Sequence, residues 1–248
     1  MRYPLTRYGM PQAIVWPSIG AAAAVAFAVS VGGPWGWTFA GAFALLTIWA
    51  VTFFRDPDRP LPQDPLAVVA PADGLVVEVT DVDDDPVVTE PGVRIGIFLS
   101  VFDVHVNRSP LRGVVVSQEH RPGKYLNALR AASAAENEAW HVALRAEPGG
   151  FPVRVTQIAG TIARRIVCRL TDGDSIDRGE RYGMIKFGSR TEVVLPRRVV
   201  ETVTVKVGDR VKGGRDTVAR LTAEALKSPE RNIENEAERQ VVGERSSW

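Results

Sequence analysis

Gly188 and Ser189 form a Gly-Ser step that follows an apolar stretch and a Gly-Asp-rich turn. A serine so placed can turn its hydroxyl on the carbonyl of the residue before it, converting that amide into an ester. Glycine at 188 removes the side chain that would obstruct the approach and tolerates a strained turn. The hydroxyl is a weak nucleophile without a base. His105, one of only three histidines, is the best candidate for that base. Asp73 and Asp103 are candidates for orienting the imidazole and stabilising its charged form. Each has a plainer use as well: Asp73 lies in the turn sequence Pro71-Ala72-Asp73-Gly74, and Asp103 suits the start of a loop. His120 and His141 read as structural or surface residues.

Elements of mainly β character must position these groups. Ala67-Val68-Val69-Ala70, Leu75 to Thr80, Val93 to Ser100, His141 to Arg145, Val153 to Ile158 and Thr161 to Leu170 carry the β-branched and aromatic enrichment of strands. Gly123 to Trp140, centred on Tyr125 to Ala132, is the one good helical candidate. Asp81 to Pro86 reads as a solvated acidic turn. A weak repeat, Gly173-Asp174-Ser175-Ile176-Asp177-Arg178-Gly179 echoed by Gly208-Asp209-Arg210-Val211-Lys212-Gly213-Gly214, leads each time into a short apolar strand. Paired tight turns of that kind are typical of barrel-sandwich folds. The expected fold is therefore mainly β (α+β), a barrel-sandwich-like domain with few helices.

The composition is that of a folded protein, with 45% hydrophobic and 24% charged residues in 248. A net charge of +1 gives no general attraction to nucleic acid, and none is expected as a partner. Cys168 is the only cysteine, which excludes an intrachain disulfide and a Cys-rich metal site. No metal is expected elsewhere. From Tyr8 to Phe54 the chain carries no charged residue. Ala13–Ser30 and Trp35–Phe54 are apolar runs separated by Val31-Gly32-Gly33-Pro34, and roughly 20 apolar residues suffice to cross a bilayer. Arg2 and Arg7 before the block, with Arg55 and Arg59 after it, place both ends on the cytoplasmic side. No small-residue cleavage site follows the second run, which argues against a removed signal peptide. The expected organisation is a membrane hairpin over 1–54, a proline-rich linker over 55–65, a catalytic domain over 66–226 and a polar tail over 227–248.

Taken together, Phe53-Phe54-Arg55-Asp56-Pro57, Pro71-Ala72-Asp73-Gly74, Asp103-Val104-His105-Val106-Asn107-Arg108, Pro122-Gly123-Lys124-Tyr125 and Gly188-Ser189 resemble the phosphatidylserine decarboxylase proenzymes of the short, membrane-hairpin bacterial and archaeal kind. The similarity runs from Phe53 to Pro196. It implies self-cleavage between Gly188 and Ser189 into a large chain, 1–188, and a small chain, 189–248. Ser189 would become a pyruvoyl cofactor that forms a Schiff base with the serine headgroup, drives loss of CO₂ and yields an ethanolamine headgroup. A phospholipid substrate and a homo-oligomer are further expectations. Two departures matter: longer members have Leu-Gly-Ser-Thr where this chain has Phe187-Gly188-Ser189-Arg190, and a second histidine where it has Arg108. Arg108, Arg112, Arg121 and Lys124 are the basic residues nearest the motifs and the candidates for the lipid phosphate. Archaetidylserine would offer the same headgroup.

Two other readings compete. A non-enzymatic, membrane-anchored barrel-sandwich carrier or adaptor would need a modifiable lysine at a hairpin tip, and Lys212 is the only residue that approaches this. A serine hydrolase using Ser189 would need a nucleophile elbow, and Gly-x-Ser-x-Gly is absent.

Overall fold

The computed structural model describes residues 5–130, 132–161, 165–186 and 188–227. The polar tail beyond Lys227 and Phe187 of the cleavage motif lie outside the described residues. Two helices, α1 (Met10–Ser30) and α2 (Gly33–Phe53), precede a β domain. Its strands are β1 (Ala67–Val69), β2 (Gly74–Val82), β3 (Gly92–Leu99), β4 (Val106–Arg108) and β5 (Gly113–Arg121), then β6 (Ala139–Ala146) and β7 (Pro152–Ile158). After these come β8 (Ile166–Cys168), β9 (Ser175–Ile176), β10 (Arg181–Ile185), β11 (Ser189–Pro196), β12 (Val200–Val203), β13 (Arg210–Val211) and β14 (Thr217–Leu221).

An eight-stranded antiparallel sheet in the order β13-β2-β3-β11-β7-β6-β5-β9 dominates, beside two three-stranded sheets, β1-β14-β12 and β4-β10-β8. Successive strand residues point to opposite faces, so β3 and β11 sort their side chains by parity. Ile95, Ile97, Val193 and Leu195 join Val153, Val155 and the β14 residues Val218 and Leu221 in the main core. Arg94, Gly96, Arg190 and Glu192 occupy the reverse face.

The repeat seen in the sequence is also structural. At one edge of the large sheet Val76 donates to the Asp209 carbonyl and Gly208 to the Val76 carbonyl; at the other edge Val115 and Asp174, and Gly173 and Val115, repeat the pattern at 2.8 Å each. The glycines at 173 and 208 hold φ of 90° and 99°, which favours glycine.

Two expectations need correction. The helix foreseen over Gly123 to Trp140 is mostly a loop, containing one short helix, α3 (Ala132–Glu136), and a bridge between Lys124 and Asn137. Asn137 closes it: its side chain accepts from Leu126 N at 2.8 Å and donates to the carbonyls of Leu126 and Ala159 at 2.9 and 2.8 Å. Local side-chain bonding of this kind competes with a helix. Asp85, read as part of a solvated turn, is buried and paired with Arg154 at 2.6 Å.

Each N-terminal helix is 21 residues long, about 31 Å at 1.5 Å per residue, against a hydrocarbon layer of about 30 Å. They pack on one another through Phe27 against Phe39 and Phe43, and through Gly20 against Thr47, while Ile14, Trp16, Val25, Trp35, Leu45 and Ile48 face outward. Both helices are long and apolar enough to cross a membrane. At their base, Tyr8, Ala13, Phe53 and Phe54 form a second core with Val104, Val106 and Met184, so the hairpin is joined to the β domain by packing. Tyr8 also donates its hydroxyl to the Arg181 carbonyl at 2.7 Å.

Candidate active site

β10 and β11 are joined by three residues, and the Gly188-Ser189 step lies at their end. Gly188 holds φ at +63°, a conformation that other residues rarely adopt. Ser189 then opens β11, paired with Leu99 of β3. Its side chain is fully buried, and Oγ has no hydrogen-bond partner among the described residues. An orphaned buried hydroxyl costs on the order of 1–3 kcal/mol, so its retention in the middle of a sheet calls for a chemical reason. Gly160 supplies the space opposite: a Cβ there would lie 2.0 Å from the Gly188 carbonyl oxygen.

His105 sits just before β4 and is wholly buried. Nδ1 is 2.9 Å from the Asp103 carbonyl oxygen, which can only accept, so Nδ1 carries the proton and Nε2 the lone pair. Nε2 faces the cleavage loop and accepts from Gly188 N at 3.4 Å. Phe53 of α2 packs against the ring at 4.4 Å between centroids. Burial lowers the pKa of His105 to about 4, and the Arg55 charge adds to that; the Asp103 carbonyl, with the charges of Asp103 and Asp73, opposes it. The imidazole is therefore neutral at physiological pH, with its Nε2 lone pair engaged only by the long contact from Gly188 N.

The two aspartates are both buried near this histidine, yet their carboxylates are engaged with other partners. Asp103 reaches His105 through its main-chain carbonyl; its carboxylate caps the preceding turn, accepting from Ser100 N and Oγ at 2.9 and 2.8 Å, with Arg210 3.6 Å away. Asp73 accepts a two-pronged pair of bonds from Arg59, the second at 2.7 Å, plus Gly213 N at 2.9 Å, and lies 3.6 Å from Lys212. It ties the linker to the turn before β14.

The four basic candidates are dispersed. Arg108 is buried and donates to Gly179 O at 3.2 Å, Asp56 at 3.1 Å and Pro57 O at 2.9 Å; burial and the Arg181 charge bring its pKa down to about 10. It fastens the linker. Arg112 pairs with Glu147 at 3.4 Å beside β5, three strands from β11. Arg121 donates to the Ala134 and Asn137 carbonyls, and Lys124 pairs with Glu136 at 2.7 Å. Other cations lie on or beside the loops of the candidate site: Arg55, which donates to Phe102 O at 2.6 Å, Arg210 beside Asp103, and Lys186, which donates to Gln12 at 3.1 Å.

Sequence reasoning missed a second buried polar group behind Ser189. Asn107 donates to Thr191 Oγ1 at 3.0 Å and accepts from Gln157 at 2.8 Å, linking β4, β11 and β7 two residues along β11 from Ser189. The only signal was polar residues at inward-facing strand positions. Arg190 was named but unexplained. It is fully buried on the reverse face, donating through Nε to Glu192 at 2.8 Å and through Nη2 to Glu78. Among the described residues no cluster of His, Cys, Asp and Glu suits a metal ion.

Known proteins similar to this chain match most of its length. The sequence profile described as "Phosphatidylserine decarboxylase" matches residues 46–219. Among curated relatives, a phosphatidylserine decarboxylase proenzyme of Rhodopirellula baltica is 45% identical over 218 residues, covering 88% of each chain. A proenzyme of the same name from Symbiobacterium thermophilum is 44% identical over 83% of this chain and 93% of its own; one from Aromatoleum aromaticum is 42% identical with the same coverage.

Proposed function

This chain belongs to the phosphatidylserine decarboxylase family, and we propose that it cuts itself between Gly188 and Ser189 and then removes CO₂ from the serine headgroup of a membrane phospholipid. The observation that carries this reading is the buried, partnerless Ser189 Oγ next to a positive-φ glycine whose amide touches the lone pair of a neutral histidine.

Cleavage follows from these groups. His105 Nε2 takes the Ser189 hydroxyl proton as Oγ attacks the Gly188 carbonyl carbon. The C–N bond breaks, the proton passes to the departing nitrogen, and the peptide becomes an ester with a free amine on residue 189. Removal of the Ser189 α-proton expels the Gly188 carboxylate, the new C-terminus of the large chain. The remaining enamine becomes an imine; one water enters and one ammonia leaves, making residue 189 a pyruvoyl ketone. The 3.4 Å contact from Gly188 N to Nε2 is loose, so a small movement can exchange it for the hydroxyl. The Asp103 carbonyl holds the ring throughout and favours the charged form.

The residues present fit that group: Ser189 Oγ is buried with no competing hydrogen bond, and Thr191, two residues on along the same face of β11, is bonded to Asn107, which accepts from Gln157. When formed, the ketone supplies an electron sink for the carboxylate's departure. His105 Nε2 can accept a proton from the headgroup ammonium and return it to the α-carbon, a role expected to contribute about 10²–10⁴ in rate. For the lipid phosphate this reading takes Arg55, bonded to the Phe102 carbonyl, and Arg210, beside Asp103. α1 and α2 cross the bilayer with both ends cytoplasmic, so substrate arrives laterally beside Phe53.

Intact-mass measurement tests the reading. The wild-type chain should split before residue 189, leaving a small chain with a blocked N-terminus. Ser189→Ala should abolish both splitting and decarboxylation, and His105→Ala should leave most of the chain whole. An uncut wild-type chain that still decarboxylates lipid would sink the self-made cofactor.

A further inference from the structure

Arg190 follows the scissile step directly, and the sheet is built around its side chain. Glu78 of β2 and Glu192 of β11 are both paired in register with Gly96 of β3, so the three form one row across the sheet. At the centre of that row Gly96 leaves bare backbone. The guanidinium of Arg190, two residues before Glu192 on the same face, lies over it: a Cβ on Gly96 would meet Nη2 at 2.6 Å. There it bonds both carboxylates, Glu192 at 2.8 Å from Nε and 2.7 Å from Nη2, and Glu78 from Nη2. Arg94 stands farther off, 3.8 Å from Glu78 and 3.9 Å from Glu192. Arg190 is 1% exposed.

This arrangement matters most after cleavage, and the argument rests on the self-cleavage reading above. In the uncut chain residue 189 is held from both sides by covalent backbone. Once cut, it is a chain terminus, and termini fray unless tied down. A terminus made from a ketone carries no ammonium, so it has no charge of its own by which to be held. Residue 189 also has a strand partner on one side only, Leu99, because pairing with β7 starts at Arg190. We propose that Arg190 is a positioning residue for the matured enzyme: its clamp on Glu78 and Glu192 fixes the first residues of the small chain so that position 189 stays aligned with His105. The side chain touches neither reacting group; it acts through the backbone of β11.

The test uses the full-length chain in lipid vesicles, with Arg190→Lys and Glu78→Gln, each also made on Ser189→Ala, which keeps the chain uncut. Three quantities are read: the cleaved fraction by intact mass, kcat and KM separately, and amide hydrogen exchange in residues 190–192. Expected for Arg190→Lys is complete or near-complete cleavage, kcat lowered about tenfold or more with KM within about twofold, and exchange about tenfold faster in the matured chain. In the uncut pair, exchange with and without Arg190→Lys should agree within about twofold. Glu78→Gln removes one arm of the clamp while preserving shape; it should repeat the pattern more weakly, and it carries the test if the lysine variant does not fold. Unchanged exchange in the matured variants would overturn the clamp, as would equal acceleration in cut and uncut chains, which would make Arg190 a general stabiliser. In both cases the wild type is still cleaved and active, so the self-cleavage reading survives. An active but uncut wild type defeats both.

Discussion

At the scale of single residues, the behaviour of His105 is set by where it is buried. In the unfolded chain an imidazole titrates near 6.5; in the fold desolvation lowers this to about 4, and His141 is lowered to about 4 by burial and by the Arg154 and Arg121 charges. Between those values the unfolded chain binds more protons than the folded one. The stabilising contribution is therefore complete above pH 6.5 and lost as pH falls toward 4. For His105 it is on the order of 3 kcal/mol. Thermal unfolding followed from pH 7.5 to 4.5 should show a shallower acid-side loss of Tm in Ser189→Ala/His105→Gln than in Ser189→Ala, both uncut. Parallel curves would show that His105 is not buried neutral. Gly188, Ser189 and His105 could be singled out as candidates in the sequence because few residue types can do this chemistry, and the fold brings Gly188 N to within 3.4 Å of His105 Nε2. The partners of Asp73 were not, because Arg59 and Gly213 come from distant segments brought together only by folding.

At the scale of elements, the cleavage loop is shaped by neighbours with no reactive group. Gly160 follows β7 and leaves room for the Gly188 carbonyl, so Gly160→Ala should push that carbonyl away from Ser189 and leave roughly nine-tenths of the chain uncut on a denaturing gel. Gly41→Ala, with open space around its Cβ, should process as the wild type does. Equal processing of the two would refute the role given to Gly160. Strands with plain β-branched patterns, such as β3 and β7, were readable from alternation. β5 was not, because Ser117, Gln118, Glu119 and His120 give its second half no apolar face. The loop from Gly123 was misread as a helix because its alanines and its leucines, Leu126 and Leu129, have high intrinsic propensity. Asn137, eleven residues beyond Leu126, decides otherwise through contacts that no local pattern reveals.

At the scale of the molecule, the two apolar helices also pack against the candidate site through Phe53 and His105. Phe53 shields His105, and Phe54 packs in the same small core. Removing residues 1–54 should then do more than release the protein from lipid: in detergent, with a short-chain soluble substrate, the truncated chain should process and turn over at least about tenfold more slowly than the full chain. Equal rates in detergent would reduce the hairpin to a tether. The apolar block was evident from the sequence, whereas its packing on a histidine fifty residues away was not. Finally, β11 runs between β3 and β7 at the centre of the large sheet, and β14 lies between β1 and β12. Cut as proposed, the small chain would be interleaved with the large one in the large sheet, where β11 has a large-chain strand on each side, and paired with it again through β14 against β1. A molecule matured in this way cannot release its spent half and accept a fresh one. On the self-cleavage reading, chemical damage at position 189 would be permanent for that copy, and lost activity would be restored only by synthesising new protein.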